Sequence, residues 1–582
     1  MTDRPWTAHY VEGTRPEIDA VPYRHLADMA RQAAGRYSEQ LAFSQCMPNG
    51  MSASLTFARV DRLSDEFAAY LREVLKLSPG DRVAVQMPNC LAYPIVAIGV
   101  WKAGCVLVNT NPLYTPPEMA HQFSDSGATV LVILDMFADR LPPVLPKTQV
   151  KTVVLVSIAE FFPALRAAVV KFVLKHVRKQ VPPVTVPHTR FAAAMKAGHG
   201  AVGRADLAAY VARVGPDSVA ALQYTGGTTG VSKGATLSHG NLLANVAQLE
   251  EVSRKFLRRG QETVLTALPL YHIFALTVNF LLFYQIGGHD VLVPSPRPVT
   301  NLKAAFEKFP ITWFTGVNTL FNGLLNEEWF RQSPPQNLVT SLAGGMALHS
   351  SVAARWHEVT GTPVVEGYGL TETSPVATFN PIGGTVKDGT IGVPLPSTDI
   401  RLLDEAGAPV PLGQPGELAV RGPQVMLGYW QRPDETTKVL GSDGWLRTGD
   451  VAVMDEQGYF RIVDRKKDMI LVSGFNVYPN EVEEVIARHP GVAEVGVIGV
   501  PDERSGESVL AFVVKKDPAL TEADVIAHAR EQLTAYKVPR RVEFRTELPK
   551  TPIGKILRKD LRTLLAQSAP AAAPAATPAG QA

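Results

Sequence analysis

The sequence feature that most constrains the fold is a regular alternation of short apolar runs with helical patterns in the first third of the chain. The runs "DRVAVQM" (81–87) and "ATVLVIL" (128–134) have the length and β-branched content of buried strands, and "CLAYPIVAIGVWKAG" (90–104) between them has helical length. Such alternation is typical of layered α/β folds with largely parallel sheets. The sequence therefore predicts a large N-terminal domain built of layered α/β subdomains.

The length of the chain and its later texture predict further units. The chain has 582 residues, whereas a single core stops growing at about 250–300 residues. From Thr398 to Gly422 the segments are short and rich in Gly and Pro, which predicts a small antiparallel, β-barrel-like subdomain. After "GYFRIVDRKKDMI" (458–470) the pattern predicts a small α+β domain of roughly one hundred residues, and the Ala/Pro-rich stretch 566–582 predicts a disordered tail.

Composition excludes several classes of protein. The net charge of +2 argues against a nucleic-acid binder, whose binding face would raise the total further. The N-terminus lacks the apolar core of a signal peptide, and Lys102 interrupts the apolar run 91–108, so we expect neither a leader nor a membrane span and place the chain in the cytoplasm. Three cysteines have no metal-site spacing, and we expect them to be buried in a reducing compartment: Cys46, Cys90 and Cys105.

One segment stands out by its charge. Between Glu160 and Asp206 there are eight Lys or Arg residues and no acid, and 161–181 is amphipathic at helical period. One predicted face is apolar and the other basic, comprising Leu165, Val169, Phe172, Val173 and Val177 against Lys171, Lys175 and Arg178. Two interpretations stay open: a surface helix packed on its own domain, or a helix that lies on the anionic inner face of a membrane.

The stretch "YTGGTTGVSKGA" (224–235) predicts a phosphate-binding loop. A Walker A loop has a glycine before its lysine and a hydroxyl residue after it, but Lys233 follows Ser232 and precedes Gly234. The next helix starts late, with its best N-cap at Ser238, and the flanking runs are typical of strands. We therefore expect a turn between two strands that binds phosphate through backbone N–H groups, threonine hydroxyls and Lys233.

Further motifs follow in order along residues 20–565: "LPLYHIFAL", "EGYGLTET", "WLRTGD", "RIVDRKKDMILVSGFNVYP" and "PKTPIGKILRK". With the loop, this series resembles the AMP-forming, adenylate-forming enzymes, which include acyl-CoA synthetases, luciferases and nonribosomal peptide adenylation domains. The resemblance implies two half-reactions. A carboxylate attacks the α-phosphorus of ATP to give acyl-AMP and pyrophosphate, and a thiol, usually that of CoA, then displaces AMP.

The resemblance implies roles for residues at the nucleotide. Tyr368 would stack on adenine, Thr371 would bond the α-phosphate, Glu372 would bind Mg²⁺, and Asp450 and Arg465 would bind the ribose. The remaining nucleotide-binding candidates are the loop residues Thr225, Gly226, Gly227, Thr228, Thr229, Gly230 and Lys233, together with Gly344, Gly345 and Gly369.

The resemblance also implies roles in the chemistry and in thiol transfer. Lys555 would stabilise the charge that builds up between the carboxylate and the α-phosphate. The resemblance places a large domain at 1–463 and a small mobile domain at 464–565. Asp464 would be the hinge about which the small domain rotates, bringing Ser473 and Gly474 to the CoA tunnel. His272 would shape the acyl pocket, together with Gly316, Val317 and Asn318, or would gate the thiol, and a core histidine without a role stays open.

The expected substrate is a long-chain fatty acid. We expect the segment "ITWFTGVNTLFNGLL" (311–325) to line the acyl pocket, and it has no charge to meet a substrate ammonium group. A long chain can bind by burial alone, at about 0.8 kcal/mol per CH₂. The implied function is ATP- and Mg²⁺-dependent activation of long-chain fatty acids to acyl-CoA. A medium-chain or aryl-CoA ligase, a fatty acyl-AMP ligase, and a lipid-binding or import protein with a vestigial nucleotide site stay open, as does a homodimer.

Overall fold

The structure, a computed structural model, describes residues 4–225, 232–473, 475–502, 504–551 and 554–568. The chain divides into two compact units, Met1–Ile462 and Val463–Ala582, and each is described by itself. The predicted tail lies outside the described residues from position 569 onward.

The strands of the described residues are, in chain order, β1 Leu41–Cys46, β2 Ser52–Thr56, β3 Arg82–Gln86, β4 Val106–Asn109, β5 Val130–Leu134, β6 Thr152–Val156, β7 Thr189–Arg190, β8 Val219–Thr225, β9 Lys233–Ser238, β10 Thr263–Thr266, β11 His289–Leu292, β12 Trp313–Gly316, β13 Thr340–Ala343, β14 Val364–Gly369, β15 Val376–Phe379, β16 Val393–Pro394, β17 Asp399–Leu403, β18 Gly416–Arg421, β19 Gly428–Tyr429, β20 Leu446–Met454, β21 Phe460–Arg465, β22 Ile470–Val472, β23 Phe475–Val477, β24 Val492–Asp502, β25 Gly506–Lys515 and β26 Arg541–Arg545.

The α-helices are α1 Leu26–Arg36, α2 Phe57–Ala69, α3 Ala92–Lys102, α4 Pro116–Ser126, α5 Ala164–Phe172, α6 Phe191–Val202, α7 Leu207–Tyr210, α8 His239–Ser253, α9 Leu282–Gln285, α10 Lys303–Lys308, α11 Asn318–Asn326, α12 Glu328–Gln332, α13 Ser350–Thr360, α14 Pro433–Val439, α15 Pro479–Ala487, α16 Glu522–Gln532 and α17 Arg558–Ser568. Helices α2 and α5 continue into π-helical turns at Tyr70–Val74 and Val173–Val177, and a third π-helical segment, Ala275–Leu281, precedes α9.

Two large sheets organise the first unit. One has nine strands in the order β16-β15-β14-β13-β12-β10-β11-β1-β2, and the other has eight in the order β19-β9-β8-β4-β3-β5-β6-β7. Pairing is parallel from β1 through β11, β10, β12 and β13 to β14, and from β8 through β4, β3, β5 and β6 to β7. The predicted layered α/β architecture is confirmed.

A smaller antiparallel sheet follows, in the order β17-β18-β20-β21. β17 pairs with β18, and β18 with β20, both in antiparallel fashion. The predicted change from largely parallel to antiparallel strand pairing in this Gly- and Pro-rich region is therefore confirmed. The chain passes from the first unit to the second within β21, between Ile462 and Val463.

The second unit is a small α+β domain. Its sheet has the order β23-β22-β25-β24, with β26 parallel to β25, and α15 and α16 cover an apolar core that includes Val482, Ile486 and Val525. Thr521 caps α16 through a reciprocal capping box with Asp524, an arrangement that satisfies two otherwise unpaired N–H groups. The predicted α+β character of this region is confirmed.

The basic segment forms α5, but its packing differs from the amphipathic prediction. Val170 is the buried residue of α5, and the flanking Ala167 and Leu174 also contact the core. The side chains at Leu165, Val169, Phe172 and Val177 are instead 79%, 50%, 60% and 65% exposed. The helix therefore packs along one narrow row and turns most of its predicted apolar face outward.

The three cysteines are free and buried, as predicted. Burial raises the pKa of the Cys90 and Cys105 thiols to about 12, and it also raises the pKa of Cys46. None of the described helices is both long and apolar enough to cross a bilayer.

Candidate active site

Several predicted residues lie at the carboxyl ends of neighbouring parallel strands. Gly316 ends β12, Gly344 follows β13, and Gly369 ends β14. The N–H of Gly344 donates to the carbonyl of Gly316 across 3.4 Å, which holds the first two together. Ligands of open α/β sheets bind in the crevice at this edge. The topology alone therefore places the candidate acyl and adenine turns side by side.

Close packing explains two of these glycines. A Cβ on Gly369 would lie 1.9 Å from the carbonyl oxygen of Pro375, because β14 folds directly back into β15. A Cβ on Gly344 would lie 3.2 Å from the ring of Phe274. Phe274 belongs to the same motif as His272, whose ring Nδ1 accepts from the Phe274 N–H at 3.3 Å. The motif of His272 thus lies against the turn at Gly344.

The candidate acyl segment is partly core. Phe314, Phe321 and Leu324 are fully buried and pack in one cluster with Trp356. Asn318 begins α11, and its side-chain oxygen accepts from the N–H of His349 at 3.0 Å. The prediction that the whole of 311–325 lines a pocket is therefore too broad. Gly316, Val317 and Asn318 stay as the acyl-site candidates.

Tyr368 and Asp450, predicted at the adenine and at the ribose, are in direct contact. The Tyr368 hydroxyl donates to Asp450 Oδ2 at 2.6 Å. Asp450 lies on β20 with only 3% of its surface exposed, and its own N–H donates to the Thr448 hydroxyl at 3.1 Å. Two motifs 82 residues apart in sequence therefore converge on one place.

The stems of the phosphate loop are described, and its tip is not. Thr225 ends β8, Lys233 begins β9, and the two residues pair across the antiparallel ladder, so both predicted strands are confirmed. Ser238 caps α8 through a capping box with Asn241, as predicted. The candidates Gly226, Gly227, Thr228, Thr229 and Gly230 lie outside the described residues.

Polar contacts behind the loop hold its stems. The Tyr224 hydroxyl donates to Asp125 at 2.8 Å, and Arg432 donates to the other oxygen of Asp125 at 2.6 Å. The N–H of Trp430 donates to the carbonyl of Gly234 at 2.8 Å. The turn after β19 thus contacts β9 directly and is linked to Tyr224 of β8 through Asp125.

Tyr429 connects the loop lysine to the predicted metal ligand. In the β9–β19 ladder Tyr429 pairs with Ala235, and Lys233, two residues away, lies on the same face because side chains alternate along a strand. The Lys233 ammonium lies 5.1 Å from the centre of the Tyr429 ring. The Tyr429 hydroxyl donates to Glu372 Oε1 at 2.7 Å. Burial and the Glu372 carboxylate both raise the pKa of Tyr429, which keeps its hydroxyl a donor.

Lys233 also forms an ion pair with Glu435, a residue of the first turn of α14. Neither Tyr429 nor Glu435 was assigned a role from the sequence. Tyr429 lies in "GPQVMLGYWQRPD" (422–434) and Glu435 directly follows it, and the Gly and Pro residues that bound this run were the available signal for a structured turn.

The second unit carries the remaining candidates, and each is described within that unit. The Thr551 N–H donates to the Lys555 carbonyl at 2.7 Å, the Lys555 N–H donates to the Thr551 hydroxyl at 3.0 Å, and Gly554 has a φ of 95°. Lys555 therefore lies on a tight turn that needs glycine before it. Ser473 is exposed in the turn between β22 and β23, and Gly474 lies outside the described residues.

Asp464 is held by a buried network. Its oxygens accept from the Arg465 N–H at 2.7 Å, the Asn480 N–H at 2.8 Å and the Arg558 guanidinium at 2.9 Å. Burial raises the pKa of Asp464, although Arg558 opposes this shift. The side chain of Asp464 is thus fixed within the small unit, whereas its role as a hinge stays a prediction.

The described residues contain no cluster of three or more His, Cys, Asp or Glu side chains that could hold a metal ion. A single carboxylate is nevertheless compatible with Mg²⁺, which keeps several waters and is bound through one or two carboxylates plus substrate phosphates. Glu372, with one oxygen bonded by Tyr429, fits that mode.

Comparison with known proteins identifies the family of the chain. The AMP-binding enzyme family matches residues 30–430, and the AMP-binding enzyme C-terminal domain matches residues 481–555. A solved structure of the anthranilate CoA ligase AuaEII in complex with anthranoyl-AMP has a TM-score of 0.81 at 24% identity, covering 94% of this chain and 98% of its own. ATP-bound MatB from Rhodopseudomonas palustris has a TM-score of 0.76 at 29% identity, covering 92% and 98%. The fold is that of an AMP-binding enzyme, and the chain belongs to that family.

Curated relatives extend over nearly the whole chain. "Long-chain-fatty-acid--CoA ligase" from Escherichia coli O6:H1 is 49% identical over 559 residues, which are 96% of this chain and 97% of that protein. The protein of the same name from Yersinia pestis is 50% identical over 565 residues, covering 96% and 98%. The chain belongs to the long-chain-fatty-acid–CoA ligase family of AMP-binding enzymes.

Proposed function

We propose that the chain converts long-chain fatty acids to acyl-CoA with ATP, releasing AMP and pyrophosphate. The observation that carries the proposal is the near-complete match to the Escherichia coli long-chain ligase, at 49% identity over 96% of the chain. Two sets of contacts within the first unit support it, Tyr368 with Asp450 and Tyr429 with both Glu372 and Lys233, because a vestigial nucleotide site has no reason to keep them.

The roles of individual residues follow from charge. Attack of a carboxylate on a phosphate brings two anions together, so cations at the α-phosphate stabilise the transition state. We assign this role to Lys555. Lys233 would bind the leaving phosphates, Asp450 and Arg465 would bind the ribose hydroxyls, and Glu372 would bind a phosphate-bound Mg²⁺. Mg²⁺, when bound, would neutralise charge on the phosphate oxygens. We further propose that rotation of the small unit brings Lys555 and then Ser473 to the nucleotide.

The test of the activity measures which products form and from which acids. The full chain is incubated with ATP, Mg²⁺, CoA and acids from short to long chain, with one aromatic acid included. We expect AMP and acyl-CoA in equal amounts and the highest kcat/KM for long chains. Formation of ADP, or of no acyl-CoA, would contradict the proposal. A preference for the aromatic acid would support an aryl-CoA ligase, and acyl-AMP that accumulates in the presence of CoA would support an acyl-AMP ligase.

We also propose that α5 and its continuation to Val177 contact an anionic membrane, where a long-chain acid is concentrated. Leu165, Val169, Phe172 and Val177 are half or more exposed, although apolar side chains of this size usually lie inside. Lys171 and Lys175 flank them, and no acid lies between Glu160 and Asp206. Basic residues near an anionic surface contribute about 1 kcal/mol each, which adds to burial of the apolar side chains.

Vesicle flotation tests this contact. Lys171→Glu combined with Lys175→Glu should reduce binding to vesicles that contain anionic phosphatidylglycerol by at least about tenfold, and Phe172→Ser should reduce it further. Turnover of a short, water-soluble acid should not change. The matched control is Lys516→Glu combined with Arg530→Glu, which reverses two exposed basic residues of the other unit. Equal binding by the wild type and the double variant, or an equal loss in the control, would refute the contact.

A further inference from the structure

The loop lysine is already paired with an anion in the structure. Lys233 contacts the carboxylate of Glu435, whose other oxygen contacts Lys438 one turn along α14. The side chains of Lys233 and Glu435 are only 37% and 31% exposed. The pair joins positions 202 residues apart in sequence, so it is not a local consequence of helix geometry.

The pairing conflicts with the role proposed for Lys233. A single ammonium group has three N–H donors around one compact positive charge. A carboxylate that contacts this group therefore competes with phosphate oxygens for the same charge and the same donors. Glu435 stays ionised throughout the neutral range, because its hydrogen bonds to Lys233 and Lys438 lower its pKa to about 2. It therefore competes at every pH at which the enzyme would work.

Tyr429 makes an exchange of anions geometrically simple. Its ring lies under the Lys233 ammonium and can stay there whichever anion the lysine meets, because a cation–π contact uses the ring face and leaves the N–H donors for other partners. Glu435 lies on α14, whereas Lys233 and Tyr429 lie on paired strands. Among the described residues, the contact that has to break is the one to Glu435.

We propose that Glu435 is a resident counterion of Lys233, displaced when the terminal phosphates of ATP bind and restored as pyrophosphate leaves. The inference rests on the proposed function, since it takes Lys233 as the ligand of those phosphates. It adds a positioning residue that weakens pyrophosphate binding and so favours release of the first product. Because the pair is partly exposed, its effect is modest, roughly two- to fivefold in affinity.

The test measures binding of magnesium pyrophosphate to the full chain by calorimetry, and its inhibition of acyl-AMP formation. In Glu435→Gln the dissociation constant should fall by about two- to fivefold, with a parallel fall in the KM for ATP. Glu435→Asp keeps the charge but withdraws it by one methylene, and should give a smaller change in the same direction. Asp434→Asn is the matched control: it removes a neighbouring exposed charge on the same helix turn and should leave pyrophosphate binding unchanged.

Three outcomes would overturn the counterion. The first two are unchanged or weaker pyrophosphate binding in Glu435→Gln. The third is equally tightened binding in Asp434→Asn, which would indicate that any negative charge on this helix turn has the same effect. A purely structural pair would lower thermal stability and weaken binding, whereas the proposal requires tighter binding. Lys233→Gln separates this failure from failure of the proposed function. If it leaves pyrophosphate affinity unaltered, Lys233 is not the phosphate ligand, even if the wild type makes acyl-CoA.

Discussion

Replacing Tyr429 with Phe removes one hydroxyl and tests whether Glu372 must be held in place. The ring remains, so its contact with the Lys233 ammonium remains, and the 2.7 Å hydrogen bond to Glu372 Oε1 is lost. A hydrogen bond to a charged group contributes about 1.5–3 kcal/mol. Tyr429 and Glu372 are both partly exposed, so we take the lower end, about 1.5 kcal/mol, which corresponds to roughly a tenfold change.

We expect kcat/KM for ATP in acyl-AMP formation to fall roughly tenfold in Tyr429→Phe, with a higher Mg²⁺ concentration needed for half-maximal rate and partial rescue at high Mg²⁺. The assay follows pyrophosphate release from ATP and a fatty acid across a Mg²⁺ series. The contribution of Lys233 to pyrophosphate binding should change little, because the ring that contacts its ammonium group remains. An unaltered Mg²⁺ profile, or an equal loss at every Mg²⁺ concentration, would refute the reasoning that Tyr429 acts through Glu372.

Three further predictions concern the ribose, the small unit and acid stability. Asp450→Asn should abolish discrimination between ATP and 2′-deoxy-ATP, measured as the ratio of their kcat/KM values. Retained discrimination would show that Asp450 does not bind the ribose 2′-hydroxyl. Arg558→Met leaves the Asp464 and Glu483 carboxylates buried without their cation, so it should destabilise the small unit by about 3–5 kcal/mol. Burial raises the pKa of both acids, so in denaturant titrations this loss should be larger at pH 8 than at pH 5; a pH-independent loss would contradict it. Burial lowers the pKa of His239 to about 3, so its contribution to stability is complete above its ordinary pKa of about 6.5 and falls by about 2–3 kcal/mol by about pH 4.5; His239→Gln should flatten that acid dependence.

Local patterns were sufficient where the determinant is local. The N-cap at Ser238 and the strands on either side of the phosphate loop are confirmed, because a capping box and an apolar strand are defined within a few residues. The α+β character of the small unit follows from the same kind of signal. Which side chains meet the nucleotide stays a prediction from the motifs, and for Tyr368 and Asp450 the structure adds their direct contact.

Two features depend on tertiary packing and could not be predicted from local sequence patterns. The periodicity of 161–181 predicted a helix correctly, but the row that enters the core contains Val170 with Ala167 and Leu174 instead of the larger apolar face. Which row of a helix packs inward depends on the elements around it, and the periodicity of the sequence does not reveal them. The pairing of Lys233 with Glu435 depends on β19 lying against β9, a contact between distant segments that no local pattern encodes.

The burial of all three cysteines makes the native chain a convenient background for spectroscopy. Thiolates are the species that react with maleimides and disulfides, and with thiol pKa values near 12 at Cys90 and Cys105 these side chains are chemically silent near neutrality. Single cysteines introduced at exposed positions of the two units, such as Glu405 and Glu531, would therefore carry a donor and an acceptor dye without removal of any native thiol. The distance between the units could then be followed in real time as ATP, fatty acid and CoA are added in turn.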